Sequence, residues 1–495
     1  MKPLTRRSFI KWVIASGAAM ACPFPAAAEG EPKKRIDGET NEVCHKVRDG
    51  FAFPAPPPSR SVGTLIIGAG PAGLGAADHL LGSDFLVLEK EPRVGGNAVA
   101  GEWNGLKYST GSAWMALFSP RIKELFGKWK LSPPEIGGYD SAWFEDRWIK
   151  DFWDAKADSP RIEELPYGRT VKQGFRDFIK ELDALDLDAQ KDKLDAMTFF
   201  DFMQGKPEPL IRYWDAFGLS NWGASTTASS AYAGVLAARD WPRSPRFTFE
   251  GGLGVVPPAV FASFPLSDQR KFLFGATVYK VKQDGGGALV WFMRDGKPDC
   301  VRARSVIFCA PKFIAARVVE GLPKPQKDAM LSMRYAPFPT YSLCFTKRVC
   351  DLGYDSYVVG AKAVCDLIQA DWVTKGRSSK PSDPQVLTLY APMREGERAD
   401  LLDDEETVAR AERAAAEVLA TLPGAERHLA EVRIYRRGHA MPMSVPNWYT
   451  KVQKIAKADL GPVSFAHSDS TGEISDLEFA MLAGIEAAEK AAKRL

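Results

Sequence analysis

Three glycines and one acid carry the first chemical signal in this chain. Gly68, Gly70 and Gly73 are spaced G-x-G-x-x-G, and Glu89 follows 21 residues after the first of them. Each residue type has a physical task in holding a dinucleotide. Gly68 permits a tight turn. Gly70 lets the backbone approach a pyrophosphate with no side chain between. Gly73 lets a helix pack close on a strand. The helix that opens with Pro71 and Ala72 then presents free N–H groups and a partial positive charge to the phosphates. Glu89, with Lys90 beside it, can accept both ribose hydroxyls of an adenosine. A carboxylate there repels a 2′-phosphate, so the ligand is FAD or NAD rather than NADP.

These residues work only on the right elements. The apolar run before Gly68 predicts a short buried strand over 64–67. Leu74, Ala77 and Leu81 on one face predict a helix over about 72–81. A second strand, 85–88, ends in Glu89. The expected class is α/β, a Rossmann-like FAD-binding domain interleaved with an α+β substrate domain.

The next stretch, "KEPRVGGNAVAGEWNGLKYSTGSAWM", narrows the ligand. Glu89, Arg93, Gly95 and Gly96 match E-x-x-x-R-x-G-G, and here the chain resembles the flavin-containing amine oxidase superfamily. The resemblance implies bound FAD, held without a covalent cysteine link. It implies a glycine pair along the ribityl-pyrophosphate and Arg93 neutralising that charge. Asn97 stands where members most often have Arg. Gly111, Ser112, Ala113 and Trp114 occupy the place where members lay backbone along the isoalloxazine ring; Trp114 packs either beside the ring or into the core.

Two distant segments extend the resemblance. The alternation from 272 to 308 predicts strand, strand, glycine-rich hairpin, strand and strand. The resemblance puts the backbone of Val278 at the adenine and closes the unit with Ala310 and Pro311. At the C-terminus it implies a last strand and a helix starting near Ser475, with Leu477 and Glu478 in the first turn. That helix end faces the flavin carbonyl O2, and Asp469 is the acid for the ribityl chain.

Residues 119–250 read as helical and aromatic-rich. With 323–460 they correspond to the family's substrate domain. Tyr213, Trp214, Trp222, Tyr232 and Trp241 are candidates for a pocket or for a core. Amine-oxidising members carry a lysine near flavin N5; the matching position falls near Thr340, and Lys347 lies too far along the strand. Its absence favours a dehydrogenase over an oxidase. Candidate catalytic residues are His439, either a proton acceptor or a structural imidazole bonded to a backbone group, Trp448, as an aromatic near the flavin face, and Tyr341, next to the lysine position.

The organisation expected is a signal peptide over 1–28, a proline-rich arm over 29–60, FAD-binding parts over 61–118, 251–322 and 461–495, and substrate-domain parts over 119–250 and 323–460. "TRRSFIK", a soft apolar run and Ala26-Ala27-Ala28 resemble a twin-arginine leader. This implies the twin-arginine translocase as partner, a periplasmic or secreted location, and no membrane span after cleavage.

The chain has 495 residues, 65 basic against 62 acidic, 45% hydrophobic and 26% charged, as a soluble globular enzyme has. That near-balance offers no field for nucleic acid. Seven cysteines form no disulfide framework. Cys344 and Cys350 are either an exported pair or buried thiols. No metal-binding motif is present. The activity expected is hydride abstraction from a small substrate, most simply an amine, with an unassigned electron acceptor. The alternatives are a desaturase or isomerase of an apolar substrate and a non-catalytic flavin electron-transfer or binding protein.

Overall fold

The computed structural model describes residues 32–39, 41–115, 119–373 and 380–494. The signal peptide expected over 1–28 and its expected cleavage site lie outside them.

The first sheet grows from the glycine motif. Strand β2 (Arg60–Ile67), helix α2 (Pro71–His79) and strand β3 (Phe85–Glu89) follow in immediate succession. Leu65, Ile66, Val87 and Leu88 are buried, as continuous apolar runs must be when helices or sheets cover both faces. β2 runs parallel to β3 and to β4 (Lys297–Phe308), with Thr64 opposite Phe85 and Ile67 opposite Phe308. Phe272–Phe274 extends the sheet beyond β3, and Val463–Phe465 pairs in parallel with the end of β4. Thr277–Asp284 and Gly287–Arg294 complete the unit as an antiparallel hairpin. The four expected strands are all present.

The C-terminal helix α5 (Leu477–Ala492) packs against α2. Two glycines make the approach possible. A Cβ on Gly75 would fall 2.4 Å from Met481 O, and one on Gly484 would fall 1.8 Å from Ala72 O. Side chains there would force the helices apart.

The second sheet has the order β1 (Lys33–Gly38), β9 (Leu429–Arg436), β5 (Thr340–Phe345), β8 (Gln385–Tyr390), β7 (Asp366–Gln369), β6 (Asp355–Val358), then Ser141–Phe144 and Arg147–Ile149. The last two strands lie in a region read as helical. Ser141-Ala-Trp-Phe favours a strand, and Glu145, at a φ of +53°, turns the chain back. Aromatic helices cover one face of this sheet, among them α3 (Glu208–Trp222). Asp404–Ala420 covers the other, close to the helix read over 405–420.

The arm does more than wrap the surface. β1 pairs in parallel with β9 from Lys33–Glu431 to Gly38–Arg436. Helix α1 (Glu42–Arg48) follows it. Phe53 then stacks on Tyr279 at 4.6 Å, Tyr279 Oη donates to Pro54 O at 2.6 Å, and Trp291 Nε1 donates to Pro56 O at 2.9 Å. The arm thus bridges the two sheets. All six described cysteines, Cys344 and Cys350 included, are free thiols. No described helix is long and apolar enough to cross a membrane.

Candidate active site

A cavity of about 860 Å³ runs between the two sheets. One end is built from the glycine turns. Gly68 has a φ of +102°, and a Cβ on Gly73 would sit 1.9 Å from Gly68 O. Only glycine fits either position. Gly70, Pro71 and Ala72 line the cavity, and Gly70 caps α2 with no side chain over the helix end. The free helix terminus therefore faces the cavity, which suits a pyrophosphate.

Glu89 lines the same end. Its Oε2 accepts from Ala69 N at 2.6 Å, and its Oε1 accepts from Glu91 N at 2.8 Å. Burial pushes its carboxyl upward, against those two N–H donors. Each carboxylate oxygen has a second lone pair for a ribose hydroxyl. Lys90, Val278, Ala310 and Pro311 line this region too.

The second glycine pair abuts the first turn. Gly95 N donates to Ala69 O at 2.9 Å, and a Cβ on Gly96 would fall 3.4 Å from Gly70 Cα. Arg93 reaches the cavity wall but also donates to Gly96 O at 3.1 Å, pinning the loop. Asn97 Nδ2 donates to Ala440 O at 3.0 Å, so this residue ties the loop to the segment after β9. Gly111, Ser112, Ala113 and Trp114 continue the wall. A Cβ on Gly111 would meet Asn97 O at 2.2 Å. Trp114 meets Trp241 edge-on at 5.5 Å, with one side on the cavity.

The α5 terminus also lines the cavity. The helix starts at Leu477, two residues beyond the expected start. Asp476 caps it by accepting from Phe479 N at 2.8 Å, and burial pushes the Asp476 carboxyl up to about 7. Leu477 lines the cavity; Glu478 does not, and accepts from Ser119 N at 3.1 Å.

Asp469 is likewise away from the cavity wall. It is fully buried and holds Lys312, whose Nζ donates to Oδ1 at 2.9 Å and whose backbone N donates to Oδ2 at 2.8 Å. Tyr335 Oη donates to the same carboxylate. Burial opposes its ionisation, yet Lys312 and the hydrogen bonds outweigh burial and hold it far below the usual carboxylate range. The position implied by family resemblance for the ribityl acid is here an internal ion pair.

The three catalytic candidates separate. His439 lines the cavity and stacks on Phe313 at 4.7 Å. Burial, then Arg398, His45, Arg317 and Arg48, push its imidazole down to about 4, so it is neutral at pH 7. Trp448 is packed in the core, outside the cavity lining. Tyr341 neighbours Thr340 on β5, and alternation turns it to the opposite face, under Leu343 and Ala411. Thr340 lines the cavity, while Lys347 is exposed beyond the strand. Of the five aromatics, Trp241 alone lines the cavity; Tyr213, Trp214, Trp222 and Tyr232 fill the core.

Several lining residues had no signal in the sequence. From the arm come Glu39, Asn41, Cys44, His45 and Arg48. α4 (Lys312–Val318) brings Phe313 and Arg317, and the second sheet brings Asp355 and Tyr390. Arg48, Arg317 and Arg398 give one stretch of the wall a cationic character, and burial keeps the nearby imidazoles of His45 and His439 neutral. Only strand pairing and helix docking bring these positions together.

Solved structures of similar fold include a redesigned double mutant of putrescine oxidase, with TM-score 0.62, 18% identity, and 88% of this chain and 100% of that chain covered. Another is cyclohexylamine oxidase from Brevibacterium oxydans, with TM-score 0.66, 17% identity, and 88% and 99% covered. Among curated proteins, oxidoreductase PigB of Serratia sp. is 26% identical over 52% of this chain and 40% of its own length. An L-amino acid dehydrogenase of Synechocystis sp. is 24% identical over 56% of this chain and 62% of its own. The match thus spans less than two thirds of either curated relative. The model of one family, flavin containing amine oxidoreductase, matches residues 71–492. That match runs from the start of α2 through α5, and the chain belongs to the flavin-containing amine oxidoreductase family.

Proposed function

We propose that the protein is an exported FAD-dependent oxidoreductase that takes a hydride from the carbon beside the nitrogen of a small amine. The observation that carries this reading is the continuity of the cavity. It joins a dinucleotide cradle, at Gly70 and Glu89, to a chamber walled by Trp114, Trp241, Tyr390 and Asp355. Bound FAD supplies the hydride-accepting ring. The chain supplies position and surroundings. Glu89 and the α2 terminus hold the adenosine and the pyrophosphate. The Gly111–Trp114 segment and the start of α5 lie along the cavity, where a helix N-terminus favours negative charge. Trp114, Trp241 and Tyr390 exclude water and orient the substrate.

FAD is held without a covalent bond in this reading. The thiols on the wall are Cys44 and Cys309; burial raises both, Cys309 to about 12, and leaves them un-ionised and weakly nucleophilic. Thr340 at the position of the family's lysine supports a dehydrogenase that passes electrons to an acceptor other than oxygen. The twin-arginine leader supports loading of the flavin before export through the twin-arginine translocase to the periplasm or beyond.

The test is anaerobic. The purified protein is examined for a flavin spectrum, then mixed with panels of primary amines and of apolar C–C substrates. Bleaching by amines is the expected result. Bleaching by the C–C panel alone would replace this reading with a desaturase, and no bleaching by either would replace it with a flavin electron-transfer or binding protein. Export is tested by Arg6→Lys with Arg7→Lys, which is expected to strand flavin-loaded protein in the cytoplasm.

A further inference from the structure

The chamber end of the cavity contains a pair of buried acids. β5, β8, β7 and β6 align Thr340, Tyr390, Asp366 and Tyr357 in one cross-strand row, so all four share a face of the second sheet. Asp355 precedes Tyr357 by two residues and therefore points to the same face. It stands on the cavity wall; Asp366 lies behind it. Asp355 is 2% exposed and Asp366 0%.

Both carboxyls are short of partners. Tyr357 Oη approaches Asp355 Oδ2 at 3.5 Å, and Cys365 Sγ donates to Asp366 Oδ1 at 3.0 Å. Asp355 Oδ1 and Asp366 Oδ2 are buried, and beyond each other's carboxyl and the Ser220 hydroxyl they meet no hydrogen-bond partner among the described residues. The two carboxyls interact with each other, and each is pushed upward chiefly by burial, Asp366 to about 7. Two carboxyls in such contact do not both ionise readily; one shared proton leaves a single negative charge on the pair.

Neighbouring charges offset that one only in part. Arg246, whose guanidinium stands over the Trp114 ring at 5.3 Å, favours the Asp355 carboxylate but is also the ion-pair partner of Asp140. Another acid on the cavity wall, Asp240, is held by Arg239 through two hydrogen bonds of 2.6 and 2.8 Å. Trp114 and Trp241 present rings to the same space. A buried anion that faces a cavity beside aromatic rings has the makings of a cation site.

We propose that Asp355, positioned by Asp366, is the seat for the amino group of the substrate, which arrives as an ammonium and gives one proton to the singly charged carboxyl pair, freeing the nitrogen lone pair before the hydride leaves the neighbouring carbon. The proposal rests on the amine reading of this site and adds the residues that recognise the amine. Asp355 touches the ligand. Asp366 acts through Asp355, and the aromatic walls select the apolar remainder of the molecule.

The experiment uses the flavin-loaded protein without oxygen. A panel of primary amines and the alcohols of matching shape is titrated against the flavin absorption spectrum, in the parent protein and in Asp355→Asn, Asp366→Asn and Asp355→Glu. The parent is expected to prefer each bound amine over its alcohol. Asp355→Asn is expected to weaken amine binding about tenfold to hundredfold, the range for losing one charge-assisted hydrogen bond, and to leave alcohol binding unchanged. Asp366→Asn is expected to reduce the same preference, and Asp355→Glu to retain part of it. Flavin content and the melting temperature identify any variant that fails to fold, and the preference is then read from the remaining ones. If amines bleach the flavin but the preference survives in Asp355→Asn and Asp366→Asn, the proposal is overturned while the amine reading stands. If no amine binds or bleaches and another substrate class does, both fall together.

Discussion

Changing Asp469 to Asn would leave Lys312 with a buried charge and no counterion. The two side chains are completely buried, and among the described residues the Lys312 ammonium pairs with no other carboxylate. Breaking such a pair from one side costs about 3–5 kcal/mol, because the remaining charge stays desolvated. For 495 residues, an unfolding entropy of about 2.1 cal/mol/K per residue makes roughly 1 °C of Tm per kcal/mol. The expected drop is therefore about 3–5 °C, with and without added FAD. The double variant Asp469→Asn with Lys312→Met is expected to recover most of it. Asn still accepts from Lys312 N and Tyr335 Oη, and the orphaned charge is gone. The pH dependence has a definite sign. The folded-state value for Asp469 is depressed, so its contribution is complete above the unfolded carboxylate value near 4 and is lost only as pH falls through the lower folded value. Thermal melts of the apoprotein and FAD titrations, run side by side, decide the matter. An unchanged melt with sharply weakened FAD binding would refute this assignment and return Asp469 to the ribityl role implied by family resemblance.

Three further outcomes are expected. Gly484→Ala drives a methyl into Ala72 O and must separate α5 from α2; overpacking of this kind costs about 1–3 kcal/mol, and flavin content in the purified protein should fall with the melting temperature. His439, held near 4 in the fold against about 6.5 in an unfolded chain, favours the folded state fully above pH 6.5 and loses that contribution as pH falls toward 4; melts across this window should show the slope, and His439→Phe should flatten it. Removing residues 1–58 takes away β1, α1 and the contacts to Tyr279 and Trp291, so flavin should leave the truncated protein measurably faster on dilution, and equal release rates would show that the arm does not retain it.

The cradle was legible because its requirements are local. Gly68, Gly73 and Glu89 are constrained by one turn and two strands adjacent in the chain, and periodicity marked those elements. The strands from 272 to 308 were legible for the same reason: their alternation sits within each strand. Trp448 and Tyr341 were misplaced as site candidates because residue type does not state which face a strand or turn presents. The same holds for the aromatic run, where Trp214 and Trp241 look alike in sequence and end in the core and on the cavity wall. Asp469 shows a different limit. A match to a family position carries the position but not the partner, and here Lys312, far away in the chain, takes the carboxylate.

Reading the chain alone was enough to mark the turn between β2 and α2 as a dinucleotide cradle, because glycine spacing and a strand-end acid are properties of a short contiguous segment. It also determined the near-neutral charge balance and the leader-like start. Only the tertiary structure decided what lies across from that turn. α5 reaches α2 through Gly75 and Gly484, the arm brings His45 and Arg48 to the wall, and strand pairing lines up Tyr390 with Asp366 and places Asp355 on the same face. Those contacts join residues tens to hundreds of positions apart, and their register depends on sheet order and helix approach, which no local pattern encodes.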